Sequence, residues 1–246
     1  MEIILSINAG SSSVKISVYQ TPEKHSTPVQ LSEAEVSGLT SPPSTLKYTR
    51  GEEKIRGKEL EGITTQEDAF RYILDYVVND KGLSELAHKN DIRFACHRVV
   101  HGGDYPRSQV IDEATFHHIE ELSDLAPLHN APALDIVRAV AEVLPKSNNI
   151  AYFDSSFHAT IPKHIRTYPI DQERAEKNKL RKYGFHGISY SFIVHAVSQL
   201  QLDLQWQCSQ HQGINIPQET QRLSEHRRSS PRIRRLSMLH QKWPKL

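Results

Sequence analysis

Two short apolar segments close together near the start of the chain limit what it can fold into. Ile3, Ile4, Leu5 and Ile7 form a run suited to a buried strand, and Val14, Ile16 and Val18 then alternate with Lys15, Ser17 and Tyr19, the period of a half-buried strand. Between them lies a turn of small residues, Asn8-Ala9-Gly10-Ser11-Ser12-Ser13-Val14-Lys15. Gly10 can take backbone angles closed to other residues, and the serines add hydroxyls and backbone N–H groups with little bulk. Such a turn lets the main chain approach a phosphate, with Lys15 placed as its cation. The same residues also suit an ordinary hairpin with a polar tip. A Walker A loop is excluded, because no Gly precedes Lys15 and no Ser or Thr follows it.

Downstream, a strand is expected near Val29 to Val36, and an edge hairpin from Lys47 to Arg56 around Gly51. Thr64 with Glu67 forms a capping box, and Ala69, Phe70, Ile73, Leu74, Val77 and Val78 follow at helical spacing. Asp91 to Val100 reads as a strand running into Gly102 and Gly103, which puts Arg98 and His101 at a sheet rim. The planar fork of Arg98 suits a carboxylate or phosphate; the competing reading is a surface arginine beside a turn. Ile111 to Leu125 is expected to be helical, with His117 and His118 on a solvated face. A rigid turn over Ala126 to Pro132 follows, with His129 just before a helix start and Asn130 placed as its cap. Asn149 to Phe153 is the next strand, and Asp154 stands at its end, where an acid holds a metal, orients a reacting group or simply forms a turn. Gly184 and Gly187 flank Phe185 and His186, fixing an unusual backbone path around that histidine. Phe192 to Val197 begins a further helix.

The 246 residues are enough for one large domain or two modest ones, and the net charge of +1 directs the whole chain to neither nucleic acid nor membrane. No apolar run approaches the ~18 residues that span a bilayer, and Glu2 stands where a signal peptide carries positive charge. Cys96 and Cys208 give neither a disulfide framework nor metal-ligand spacing, so a cytoplasmic location is the expectation. From Gln201 onward, however, eight Lys or Arg face three acids, leaving the first 200 residues net acidic. Phe and Tyr stop there, while Trp206 and Trp243 both follow. The basic, Gln-rich tail reads as a solvated run, so nucleic acid is not an expected partner.

Five stretches in order, NAGSSSVK from Asn8, CHRVVHGG from Cys96, LAPLHN from Leu125, FDSSFHATIP from Phe153 and RKYGFHGIS from Arg181, resemble the acetate kinase family of short-chain carboxylate kinases. The resemblance covers about the first 197 residues. It implies an α/β fold, an actin-like ATPase (ribonuclease H-like) N-terminal domain plus the start of a second such domain. It also implies reversible, Mg²⁺-dependent transfer of the ATP γ-phosphoryl group to acetate, giving acetyl phosphate and ADP. By motif position, Asn8 would help hold magnesium, Lys15 would contact ATP phosphate, and Ser11 and Ser13 would line the same loop. Arg98 would grip the substrate carboxylate, and His186, with His129 assisting, would stabilise charge in the transition state. Asp154 matches the residue assigned as acid/base; since acetate is already ionised at pH 7, positioning of Mg²⁺ or the nucleophile is an equally sensible role.

Ile188, Tyr190 and the Ser155-Ser156 pair depart mildly from the family pattern. The larger departure comes after residue 198, where the family's glycine-rich nucleotide segment, second catalytic arginine, adenosine pocket and late metal-binding Glu find no match. The expected division is therefore a first kinase domain over 1–150, the beginning of a second over 151–198 and a divergent tail over 199–246, produced by a change of reading frame or splicing near Ser198 to Gln201. A catalytically inactive fragment is the alternative to an active kinase. Family members are commonly homodimers through the second domain, so no dimer is asserted for this chain.

Overall fold

The computed structural model describes residues 1–21, 27–124 and 127–200. The basic tail with Cys208, Trp206 and Trp243, and Leu125 and Ala126 of the third motif, lie outside the described residues. Among those described, no helix is long and apolar enough to cross a membrane.

Among the described residues, eight strands form one mixed sheet, giving the α/β class expected. They are β1 (Glu2–Ala9), β2 (Ser13–Thr21), β3 (Val29–Ser37), β4 (Ser44–Arg50), β5 (Glu53–Leu60), β6 (Ile92–Val99), β7 (Gln109–Val110) and β8 (Asn148–Phe153). Their spatial order is β5-β4-β3-β2-β1-β6-β8-β7. The first five form an antiparallel meander, whereas β1, β6 and β8 run parallel. Two-residue periodicity decides which face is core: Ile3, Leu5, Ile7, Val14, Ile16 and Val18 are all buried on one side. Against that side pack α1 (Gln66–Val78), through Ala69, Phe70, Ile73, Leu74 and Val77, and α3 (Pro127–Val143), through Ile136 and Val140. A smaller cluster of Val99, Ile119, Leu134, Ala151 and Phe153 joins α2 (Glu113–Glu121) to the parallel strands. The exposed edge strand β5 carries Lys54, Arg56, Lys58 and Glu59, charges that discourage edge-to-edge pairing.

Two local expectations shift. The cap of α1 is Thr65, whose side chain accepts the Asp68 N–H, one residue later than the Thr64 box. Asn130 is not a cap: it lies inside α3, fully buried, accepting the His101 N–H at 3.1 Å and donating to the His101 carbonyl at 3.0 Å. Burial of a strand end leaves backbone groups needing partners, and the asparagine amide supplies both.

After β8 come α4 (Lys163–Arg166), α5 (Gln172–Lys177) and α6 (Gly187–Leu200). Met1–Ser189 forms one compact unit, and the described residues from Tyr190 onward fall outside it. β8 itself crosses residue 150, the expected domain boundary.

Candidate active site

The three parallel strands set the geometry. Ile7 lies opposite His97, and Val99 opposite Phe153, so the carboxyl ends of β1, β6 and β8 open on one edge of the sheet. Open α/β sheets bind ligands at such an edge. Alternation then sorts side chains by face. Ile7, His97, Val99 and Phe153 are buried towards the helices, while Asn8, Arg98 and Tyr152 occupy the opposite face. Burial pushes His97 down to about 4; its Nε2 donates to Asn149 Oδ1 at 2.8 Å.

Arg98 is the hub. Its Nε and Nη2 donate to Asp154 Oδ2 at 3.1 and 2.7 Å, and its Nη1 donates to Asn8 Oδ1 at 3.1 Å. Asp154 is buried, with 1% exposure, whereas the Arg98 side chain remains about one-third exposed, so the pair faces the cleft through its cation. Asp154 is fixed through its backbone as well: its N–H donates to the Val99 carbonyl at 3.0 Å, and its own carbonyl accepts the Gly187 N–H at 3.0 Å. That last bond brings His186 to the site. A Cβ on Gly187 would stand 2.0 Å from the Asp154 carbonyl oxygen, so only glycine allows this approach. His186 itself has φ +57°, a left-handed conformation uncommon outside glycine and often found at functional positions.

Asn8, Arg98 and His186 line one cleft of about 840 Å³, together with Ser6, Tyr152 and Ser189. Asp154 joins them through Arg98. Lys15 lies one strand away, paired in register with Asn8, and its ammonium meets Glu33 at 2.8 Å. Burial alone would push the Glu33 carboxyl up, but Lys15, Gln30 and Ser17 outweigh it and hold it below its usual range. Ser11 sits in the β1–β2 turn and Ser13 opens β2; a Gly10 N–H to Ser13 carbonyl bond at 2.8 Å closes the turn. His129 is exposed on the first turn of α3 and is not among the residues lining the cleft. His101 is buried, accepts the Gly103 N–H on Nδ1 at 3.0 Å and packs on Tyr183 and Phe185; it joins the end of β6 to the His186 segment. Burial, reinforced by Arg181, lowers its pKa.

Several residues that hold the site gave no signal of their own. Gln66 donates to the Ser11 carbonyl at 3.0 Å, pinning the turn from α1, and Glu33 balances Lys15. Neither contact is local, Gln66 reaching a turn from a helix and Glu33 meeting Lys15 across a strand pair, so spacing could not find them. For a hard cation the relevant donors are oxygens: Asn8 Oδ1 and the carboxylate of Asp154 supply them, although no cluster of three metal-binding side chains exists among the described residues. This donor set fits magnesium held mainly by water and substrate phosphates.

The family model described as "Acetokinase family" matches residues 3–210. The chain belongs to the acetokinase family. It is 53% identical over 199 residues to a probable acetate kinase of Chaetomium globosum, covering 80% of this chain and 43% of that protein. Against an acetate kinase of Streptococcus uberis it is 35% identical over 201 residues, covering 81% and 48%. Among solved structures, the Porphyromonas gingivalis acetate kinase superposes with a TM-score of 0.69 at 31% identity, covering 83% of this chain and 49% of that one. A propionate kinase from Francisella tularensis gives 0.70 at 32%, covering 83% and 50%. The sheet is therefore that of the actin-like kinases, and the chain spans about half the length of the relatives it matches. The acetokinase match runs past the break in composition near residue 199.

Proposed function

We propose that the chain carries the acetate-side half of an acetate kinase, which transfers the ATP γ-phosphoryl group reversibly to acetate. One observation carries this reading: Asn8, Arg98, Asp154 and His186, from four separate motifs, converge at the carboxyl edge of three parallel strands. Phosphoryl transfer demands alignment and neutralisation of spread negative charge more than covalent help, and this is a set of positioned donors. Arg98 grips the substrate carboxylate, its plane set by Asp154 and Asn8. His186 meets charge on the transferring phosphoryl group. Lys15 contacts ATP phosphate, with Ser11 and Ser13 offering the turn to the same group. Asn8 and Asp154 would hold Mg²⁺, which when bound neutralises phosphate charge. Asp154 also fixes Arg98, since acetate offers no proton to remove at pH 7. The chain acts in the cytoplasm on acetate and ATP, and the rest of the kinase fold begins beyond β8.

The test is acetate-dependent formation of acetyl phosphate from ATP and Mg²⁺ by the purified chain, trapped as the hydroxamate. The wild-type chain should give product, and Arg98→Ala should lower the rate by about 10²-fold or more. The half-length span favours a second reading, a folded but catalytically silent chain. Absence of product from folded protein would establish it in place of the first.

A further inference from the structure

A second cavity, of about 200 Å³, shares no lining residue with the cleft. Asp104, Ser155, His158, Arg166, Arg181 and Lys182 contribute to its wall. Three fixed cations therefore meet one carboxylate. Asp104 is two-thirds exposed and reaches Arg181 Nη2 at 3.3 Å, beyond the usual distance for a strong charged pair.

The guanidinium groups are under-satisfied. Arg181 donates through Nη2 to the Gly103 carbonyl at 3.1 Å, yet its Nε is buried with no acceptor among the described residues. A buried N–H without a partner is costly. The Tyr183 ring, 4.5 Å from the Arg181 guanidinium carbon, holds that plane in place. Among the described residues the Arg166 side chain has neither ion pair nor hydrogen bond, and its position is set through its backbone carbonyl, which accepts the Lys182 N–H at 2.8 Å. Lys182 has no carboxylate partner among them either; its ammonium stands 5.9 Å from the Tyr168 ring. Arg166 and Arg181 also line an adjoining cavity of about 290 Å³.

We propose that this cavity binds a small, multiply charged oxyanion of the size of inorganic phosphate, held by Arg166, Arg181 and Lys182. Planar guanidinium forks match tetrahedral and carboxylate oxyanions, and one carboxylate against three cations leaves the pocket net positive. A cavity of about 200 Å³ has room for phosphate and its first waters. The anion would sit against Arg181 and Lys182, which begin the segment ending in His186, and so would steady that segment.

Inorganic phosphate is the probe, followed by ³¹P NMR line broadening on the 1–246 chain at constant ionic strength. Saturable broadening is expected, weakened about tenfold or more in Arg166→Gln and retained in Arg98→Ala. Because the two cavities are separate, this result is independent of whether the cleft is a kinase site. If Arg166→Gln fails to fold by circular dichroism, the exposed Lys182→Gln takes its place with the same expected loss. No saturable effect in the wild-type chain, undiminished binding in the folded variant, or loss in Arg98→Ala would each overturn the proposal.

Discussion

Three hydrogen bonds on one guanidinium show how much of this site is held by side chains rather than by backbone. Arg98 links the end of β1 to the end of β8 through Asn8 and Asp154, and buries an acid that would be costly alone. Asn130 does comparable work for the backbone of His101. Asn130→Leu would leave a buried N–H and carbonyl without partners, and should lower stability by about 2–4 kcal/mol in urea unfolding at unchanged slope. His97 makes a pH prediction. Its pKa is about 4 when folded against an ordinary 6.5, so between these values the unfolded chain binds more protons. Stability should be fully present above pH 6.5 and fall as pH drops towards 4, by up to about 3 kcal/mol from this group. Urea midpoints measured across that range should fall less steeply in His97→Gln.

At the scale of elements, what could be read from sequence was whatever has a short period. The β1–β2 hairpin, β3, the β4–β5 edge hairpin, α1 and β6 follow from alternation and helical spacing, since each buries one face against a common core. The cap of α1 shifted by one residue because two threonines adjoin and only Thr65 has its side chain against the Asp68 N–H. Thr65→Ala should therefore cost about 1 kcal/mol in thermal or urea unfolding, and Thr64→Ala much less. Asn130 was misplaced for a different reason: a buried polar strut between α3 and β6 has no periodic signature. The residues of the proposed site were singled out as four separate motifs, but the bond from Gly187 to Asp154 that brings the last two together is a backbone contact across more than thirty residues. Gly187→Ala tests that contact. A Cβ 2.0 Å from the Asp154 carbonyl must displace it, and a loss of about 1–3 kcal/mol is expected in urea unfolding.

For the whole molecule, one mixed sheet with helices on its buried side presents a polar edge where three strands end together. The acetokinase match over residues 3–210 and the TM-scores near 0.7 to acetate and propionate kinases set that edge in a known architecture. Asn8, Arg98, Asp154 and His186 are proposed to act as one phosphoryl-transfer site. The reverse reaction tests it most directly: ATP formed from acetyl phosphate and ADP with Mg²⁺, detected by luciferase, using the 1–246 chain beside Arg98→Ala and His186→Ala. ATP formation by the wild-type chain, with each variant slower by about 10²-fold, is the predicted result. A rate that persists in Arg98→Ala, or no ATP from folded wild-type protein, would contradict it.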